Sequence, residues 1–178
     1  MRRGCFLLFF FILTSFPGGL ALALTLRSPS FIEGTNIPVQ NTCDGKDLSP
    51  PLQWGEIPSK VQSYALVMED PDAPSGPWIH WVIYNIPGNS TSLEEGIEKI
   101  ENLKNGAKQG VSWGVKEFSR LGYQGPCPPP GKPHRYIFKL IALDHSLNLP
   151  AKLSKFELEK AIQGHILGQT QLVGNYSR

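Results

Sequence analysis

The stretch SYALVMEDPDAPSGPWIHWVIYNI, residues 63–86, decides how the chain folds. Its ends, Ser63 to Glu69 and Ile79 to Ile86, are rich in β-branched and aromatic residues, and such runs bounded by proline and glycine read as strands. Between them stand two aspartates, three prolines and a glycine. Pro71 removes a ladder donor directly after Asp70, so the chain must leave the sheet there. The second run, HWVIYNI, is apolar on both faces, as a central strand covered on each side would be.

Working outward, Arg135 to Leu143 (RYIFKLIAL) reads the same way, and Thr25 to Ser28 is a shorter strand candidate. Proline and glycine at short intervals then predict an all-β, mainly antiparallel fold, a sandwich or barrel. One helix is expected, opened by Ser154-Lys155-Phe156-Glu157 as a capping box. Its apolar stripe is read as Phe156, Leu158, Ala161 and Ile162, with Gly164 or Gly168 ending it. The tail TQLVGNYSR is read as a final strand. Thr91 to Gly114 is read as mostly loop, with a short helix near Ser92 to Gly96.

The first residues, MRRGCFLLFFFILTSFPGGLALAL, have the basic start, short apolar run and small residues of a signal peptide. Residues 1–23 are therefore read as a leader and 24–178 as one domain. Without Arg2 and Arg3 the 17 basic residues fall to 15, against 15 acidic ones. A charge near zero argues against nucleic acid, whose binding rests on neutralising phosphates. Cys43 and Cys127 both lie in loop-like sequence, and an exported chain meets an oxidising compartment, so a disulfide between them is expected. Two cysteines alone cannot make a zinc site.

Side chains two apart on a strand share a face. Trp78 and His80 therefore stand together, with Ile79 and Trp81 opposite, while His134, Tyr136 and Phe138 share a face of their own strand. If the strands are neighbours, two histidines and two aromatics line one cavity. The proline loops would hold its wall before any ligand arrives, which lowers the ordering cost of binding. Four chemistries compete: an anion pocket with histidine and loop-amide donors, a metal site of two histidines and Asp70, hydrolysis, or no pocket function at all. A glycine-rich phosphate loop with its lysine is absent from the sequence. Each residue also has a plain structural reading: Asp70 and Asp72 as turn formers, Trp78 and Tyr136 as packing.

Asp70-Pro71-Asp72-Ala73-Pro74, Trp78-Ile79-His80-Trp81, Gly125-Pro126 and His134-Arg135-Tyr136 together resemble the phosphatidylethanolamine-binding protein family, also called Raf kinase inhibitor-like. TCDGKDLSPPLQW (42–54) and the ending HILGQTQLVGNYSR (165–178) resemble its bacterial and archaeal branch. The resemblance implies a sandwich of a large central sheet and a smaller one, with a C-terminal helix and a small cavity for phosphate-like anions or phosphoethanolamine headgroups. Carried over by position, the cavity residues are Asp70, Pro74, Trp78, His80, Gly125, His134 and Tyr136, with Asp72, Pro126 and Arg135 supporting the rim. The chain departs from the family in its short Ser75-Gly76-Pro77 link and in Lys116-Glu117-Phe118.

The expected function is thus an exported, non-catalytic binding protein with a preformed anion pocket, needing no cofactor and no metal. Histidine donors near their ordinary pKa of about 6.5 would make its affinity rise as pH falls from neutral. The alternative is a kinase or protease inhibitor acting through the rim loops, and third a metal-dependent enzyme. A homodimer is compatible with the resemblance and is decided by no residue pattern.

Overall fold

The strand Ser63–Asp70 is the centre of the molecule, because its two faces enter two different cores. Tyr64, Leu66 and Met68 join one buried cluster, whereas Ala65 and Val67 join the other. The computed structural model describes residues 23–112 and 119–178; the expected leader, apart from residue 23, and Lys116-Glu117-Phe118 lie outside the described residues.

In chain order the elements are β1 (Thr25–Arg27), a 3-10 turn (Val39–Asn41), β2 (Leu52–Gly55), β3 (Ser63–Asp70), β4 (Trp78–Pro87), β5 (Ser92–Leu93), β6 (Lys108–Gln109), β7 (Val111–Ser112), β8 (Arg120–Leu121), β9 (His134–Leu143), α1 (Lys155–Ala161) and β10 (Ile166–Tyr176). The large sheet has the order β10-β9-β3-β4-β6, a smaller one β1-β2-β5, and β7-β8 form a separate ribbon. Every pair of these strands among the described residues is antiparallel. One core brings Leu26, Leu52 and Trp54 of the small sheet together with Tyr136, Phe138 and Leu140 of β9. On the opposite face Leu158 and Ile162 from the helical segment pack with Val82, Tyr84 and Ile141.

The helix starts as its sequence dictates. Glu157 N–H donates to Ser154 Oγ and Ser154 N–H donates to Glu157 Oε2, and Gly164 adopts a left-handed φ of 81° just beyond the end. Phe156 departs from the expected stripe and is 74% exposed. At 3.6 residues per turn it lies about 200° round the helix from Leu158, so the two cannot both face the sheet. The short helix expected near Ser92 to Gly96 is instead β5 followed by a turn. Strand β2 was not anticipated from its four residues behind Pro50-Pro51.

Two irregularities shape β4. Between Tyr64↔Ile86 and Leu66↔Ile83 the register gains a residue. Asn85 takes a left-handed φ of 56° there, and its side chain secures the bend by donating to Gly106 O and accepting from Leu147 N. The second irregularity lies at the functional end.

Phe138→Ala should lower unfolding free energy by about 3–5 kcal/mol, the usual cost of emptying a fully buried ring site. Phe156→Ala should change it by less than about 0.5 kcal/mol. Urea unfolding of the two variants checks this ordering.

Candidate functional site

Because β4 and β9 both run antiparallel to β3, their first residues lie beside its last. Asp70, Trp78, His80, His134 and Tyr136 therefore arrive at one end of the large sheet, with Asp70 directly opposite Trp78. A cavity of about 560 Å³ opens there. Its wall includes Asp70, Pro74, Trp78, His80, Gly125 and Tyr136 of the expected set, and also Asp47, Ser112, Arg120, Gln124, both cysteines and Pro128-Pro129.

The register of β4 shifts between Met68↔Trp81 and Glu69↔Ile79, leaving His80 as the extra residue of a bulge. Strict alternation places Trp81 opposite His80, but the bulge gives these neighbours a common side. Trp81 thus packs in the core of Tyr136 and Phe138, while Ile79 packs on the other face. The His80 ring meets Tyr136 edge-on, with centroids 5.2 Å apart.

The polar geometry fixes proton positions. Asp70 is 3% exposed; its Oδ1 accepts from Asp72 N–H at 2.8 Å and its Oδ2 from His134 Nδ1 at 2.8 Å. His134 is not among the residues lining the cavity, and its Nδ1 orients the wall carboxylate. His80 Nδ1 lies 2.8 Å from the Gln124 carbonyl, and Gln124 N–H donates back to His80 O at 2.8 Å. A carbonyl only accepts, so Nδ1 carries the proton and neutral His80 keeps a lone pair on Nε2. Burial pushes the His80 pKa down, more than the Gln124 carbonyl, Asp70 and Asp47 raise it. The anion-donor role expected of this ring near pH 6.5 is accordingly displaced to more acidic conditions.

Tyr136 is fully buried. Burial first, and the Asp70 carboxylate second, raise its pKa far above the ordinary range, so it remains a neutral O–H donor. That hydroxyl lies against the Asp70 carboxylate and the Cys127 backbone but makes no hydrogen bond of good geometry among the described residues. Buried hydroxyls are rarely left so.

Two loops form the opposite wall and are tied at four points. Tyr123 donates its hydroxyl to Asn41 O at 2.6 Å, Cys43 N–H to Pro126 O at 3.1 Å, and Gly125 N–H to Asp47 Oδ1 at 2.6 Å. The fourth tie is the Cys43–Cys127 disulfide, with Cα atoms 5.4 Å apart. A Cβ on Gly125 would lie 2.7 Å from Asp47 Oδ1 and 2.8 Å from Thr42 Cα, so glycine is what permits the loops to meet. Asp47 also pairs with Lys99 at 2.5 Å. At the rim, Asp72 accepts from Arg135 N, Nε and Nη2 at 2.8–2.9 Å, which holds its carboxyl down at about 2. Asp72, Pro126 and Arg135 lie outside the residues lining the cavity. Asp47 and Arg120, missed from the sequence, stand in a glycine-bearing loop and a two-residue strand with no pattern to mark them.

A family model described as phosphatidylethanolamine-binding protein matches residues 27–177. A UPF0098 protein of Methanothermobacter thermautotrophicus is 45% identical over 155 residues, covering 87% of this chain and 99% of that relative. Among solved structures, a phosphatidylethanolamine-binding protein homolog, CT736 of Chlamydia trachomatis, superposes with a TM-score of 0.78 at 35% identity, over 88% of this chain and 99% of its own. YbcL of E. coli, described as a member of the mammalian PEBP family, gives 0.78 at 28% identity, over 87% and 98%.

NMR titration should give His80 a midpoint below the ordinary 6.5 and Asp72 one near 2. In Arg135→Ala the Asp72 midpoint should climb toward about 3.9. The His80 shift has a sign for stability: the unfolded imidazole binds its proton first, so stability should fall as pH drops below about 6.5.

Proposed function

The chain belongs to the phosphatidylethanolamine-binding protein family, and from that premise we propose that its cavity holds a phosphoethanolamine-type headgroup, amine and phosphate together, without changing it chemically. The observation carrying this reading is the wall that sets the Asp70 carboxylate and the neutral Tyr136 hydroxyl side by side in the same cavity as Arg120.

Charge favours a zwitterion over a bare anion. The wall carries two carboxylates, Asp70 and Asp47, against the guanidinium of Arg120, and His80 is neutral at pH 7. Arg120 and the Tyr136 hydroxyl suit a phosphate, because guanidinium matches its geometry and a neutral O–H adds a charge-assisted hydrogen bond. Each Asp70 oxygen has one partner and retains a further lone pair for an ammonium. The His80 Nε2 lone pair is a second acceptor for an N–H or a phosphate O–H.

Binding without turnover agrees with the wall chemistry. Its two cysteines are joined to each other, and the Ser112 hydroxyl donates to the Arg120 carbonyl rather than to a general base. The same reading places the protein in an oxidising compartment, reached by export through the leader at residues 1–23; the disulfide supports it. Among the described residues no helix is long and apolar enough to cross a membrane.

Calorimetry at pH 7 should rank phosphoethanolamine above both inorganic phosphate and ethanolamine. Arg120→Ala and Tyr136→Phe should each weaken it by about 10-fold or more, the loss of one charge-assisted hydrogen bond. Equal binding of all three ligands, or two silent variants, would contradict the assignment.

A further inference from the structure

The four histidines of the chain fall into two pairs at opposite ends of the large sheet. His80 and His134 belong to the cavity. His145 and His165 lie past the far end of the β9–β10 ladder, just beyond the Leu143↔Ile166 pair. At about 3.3 Å per residue, the ten residues of β9 put roughly 30 Å between the two pairs.

Their rings stack with centroids 5.2 Å apart and planes inclined by 27°. Two imidazoles sharing one tetrahedral metal ion, each nitrogen about 2 Å from it, have centroids roughly 5 Å apart. His165 Nδ1 lies 2.9 Å from Asp144 Oδ1, so the carboxylate takes that N–H and Nε2 is left with the lone pair. A carboxylate behind a ligating histidine is the arrangement that orients a ring and raises its basicity toward a metal. The His145 ring has no hydrogen-bond partner among the described residues, and both rings reach solvent.

The backbone under the pair is fixed. Asp144 N–H donates to His165 O at 3.0 Å, His165 N–H to Ile162 O at 3.1 Å, and the Ser63 hydroxyl to His145 O at 2.5 Å. Both histidines lie in connecting segments that abut β9 and β10, and these bonds tie their backbone in place, which lowers the cost of holding the rings for a ligand.

We propose that His145 and His165, with Asp144 behind His165, form a surface site for a divalent transition metal ion such as Zn²⁺ or Cu²⁺, separate from the cavity. Among the described residues no three His, Cys, Asp or Glu side chains converge, so the protein supplies two nitrogens and water completes the coordination. Imidazole nitrogen selects Cu²⁺ and Zn²⁺ over Mg²⁺ or Ca²⁺, and Cu²⁺ binds more tightly than Zn²⁺.

The test is an imidazole NMR titration of the full chain with Zn²⁺. His145 and His165 should move together and saturate at one ion per chain, while His80 and His134 stay still. His145→Ala and His165→Ala, both at exposed or half-exposed positions, should each abolish saturable binding with unfolding midpoints unchanged. Asp144→Asn should weaken it about 10- to 100-fold. Shifts confined to one ring, shifts at His80 and His134 instead, or unchanged affinity in either histidine variant would overturn the proposal. An unaltered affinity in Asp144→Asn would overturn the carboxylate's part in it.

Discussion

The cavity end of this protein depends on one carboxylate. Asp70 closes β3, the strand whose two faces enter both cores, and is itself buried. A carboxylate there is costly unless its oxygens are bonded. Asp72 N–H and His134 Nδ1 meet that need, the first turning the chain out of the sheet and the second tying β3 to β9. The same two bonds aim the carboxylate along the cavity wall. Fold and site are thus joined at a residue that serves both.

The remaining geometry follows from how three antiparallel strands begin and end beside that point. The bulge at His80 lets one strand place a polar ring in the wall and Trp81 in the core behind it. Trp81 Nε1 then donates to buried Gln109 at 2.9 Å, so the core residue next to the wall is also satisfied. Across the cavity the disulfide closes a separation of 84 residues, which constrains the unfolded chain by roughly 4–5 kcal/mol in the entropic account. The flanking hydrogen bonds, rather than the covalent link alone, set the shape of that wall. With Pro74, Pro128 and Pro129 also lining the cavity, little chain entropy remains for a ligand to remove.

Much of this was legible in the residues. Strands β3, β4 and β9 announce themselves by composition, α1 by its capping box, and the disulfide by two cysteines in loop-like sequence behind a leader-like start. The face of β9 that carries His134 and Tyr136 follows from simple alternation, because that strand is regular. Alternation fails at His80, since a bulge is a property of strand pairing and leaves no mark on one strand alone. His134 stands where alternation puts it, and its bond to Asp70 is a contact between strands that local pattern does not encode. Phe156 was misread because an apolar residue near a stripe need not belong to it. Asp47 and Arg120 reach the wall through contacts distant in sequence, which local patterns do not encode.

Asp70 as the acceptor for the ligand's cation is the centre of this account, and its removal should change selectivity more than affinity for phosphate. The direct measurement is the ratio of phosphoethanolamine to inorganic phosphate affinity in Asp70→Asn against the native protein, with the fold checked by circular dichroism. The account predicts that the native preference for phosphoethanolamine collapses toward unity while phosphate binding persists. A preserved preference in the folded variant would contradict it.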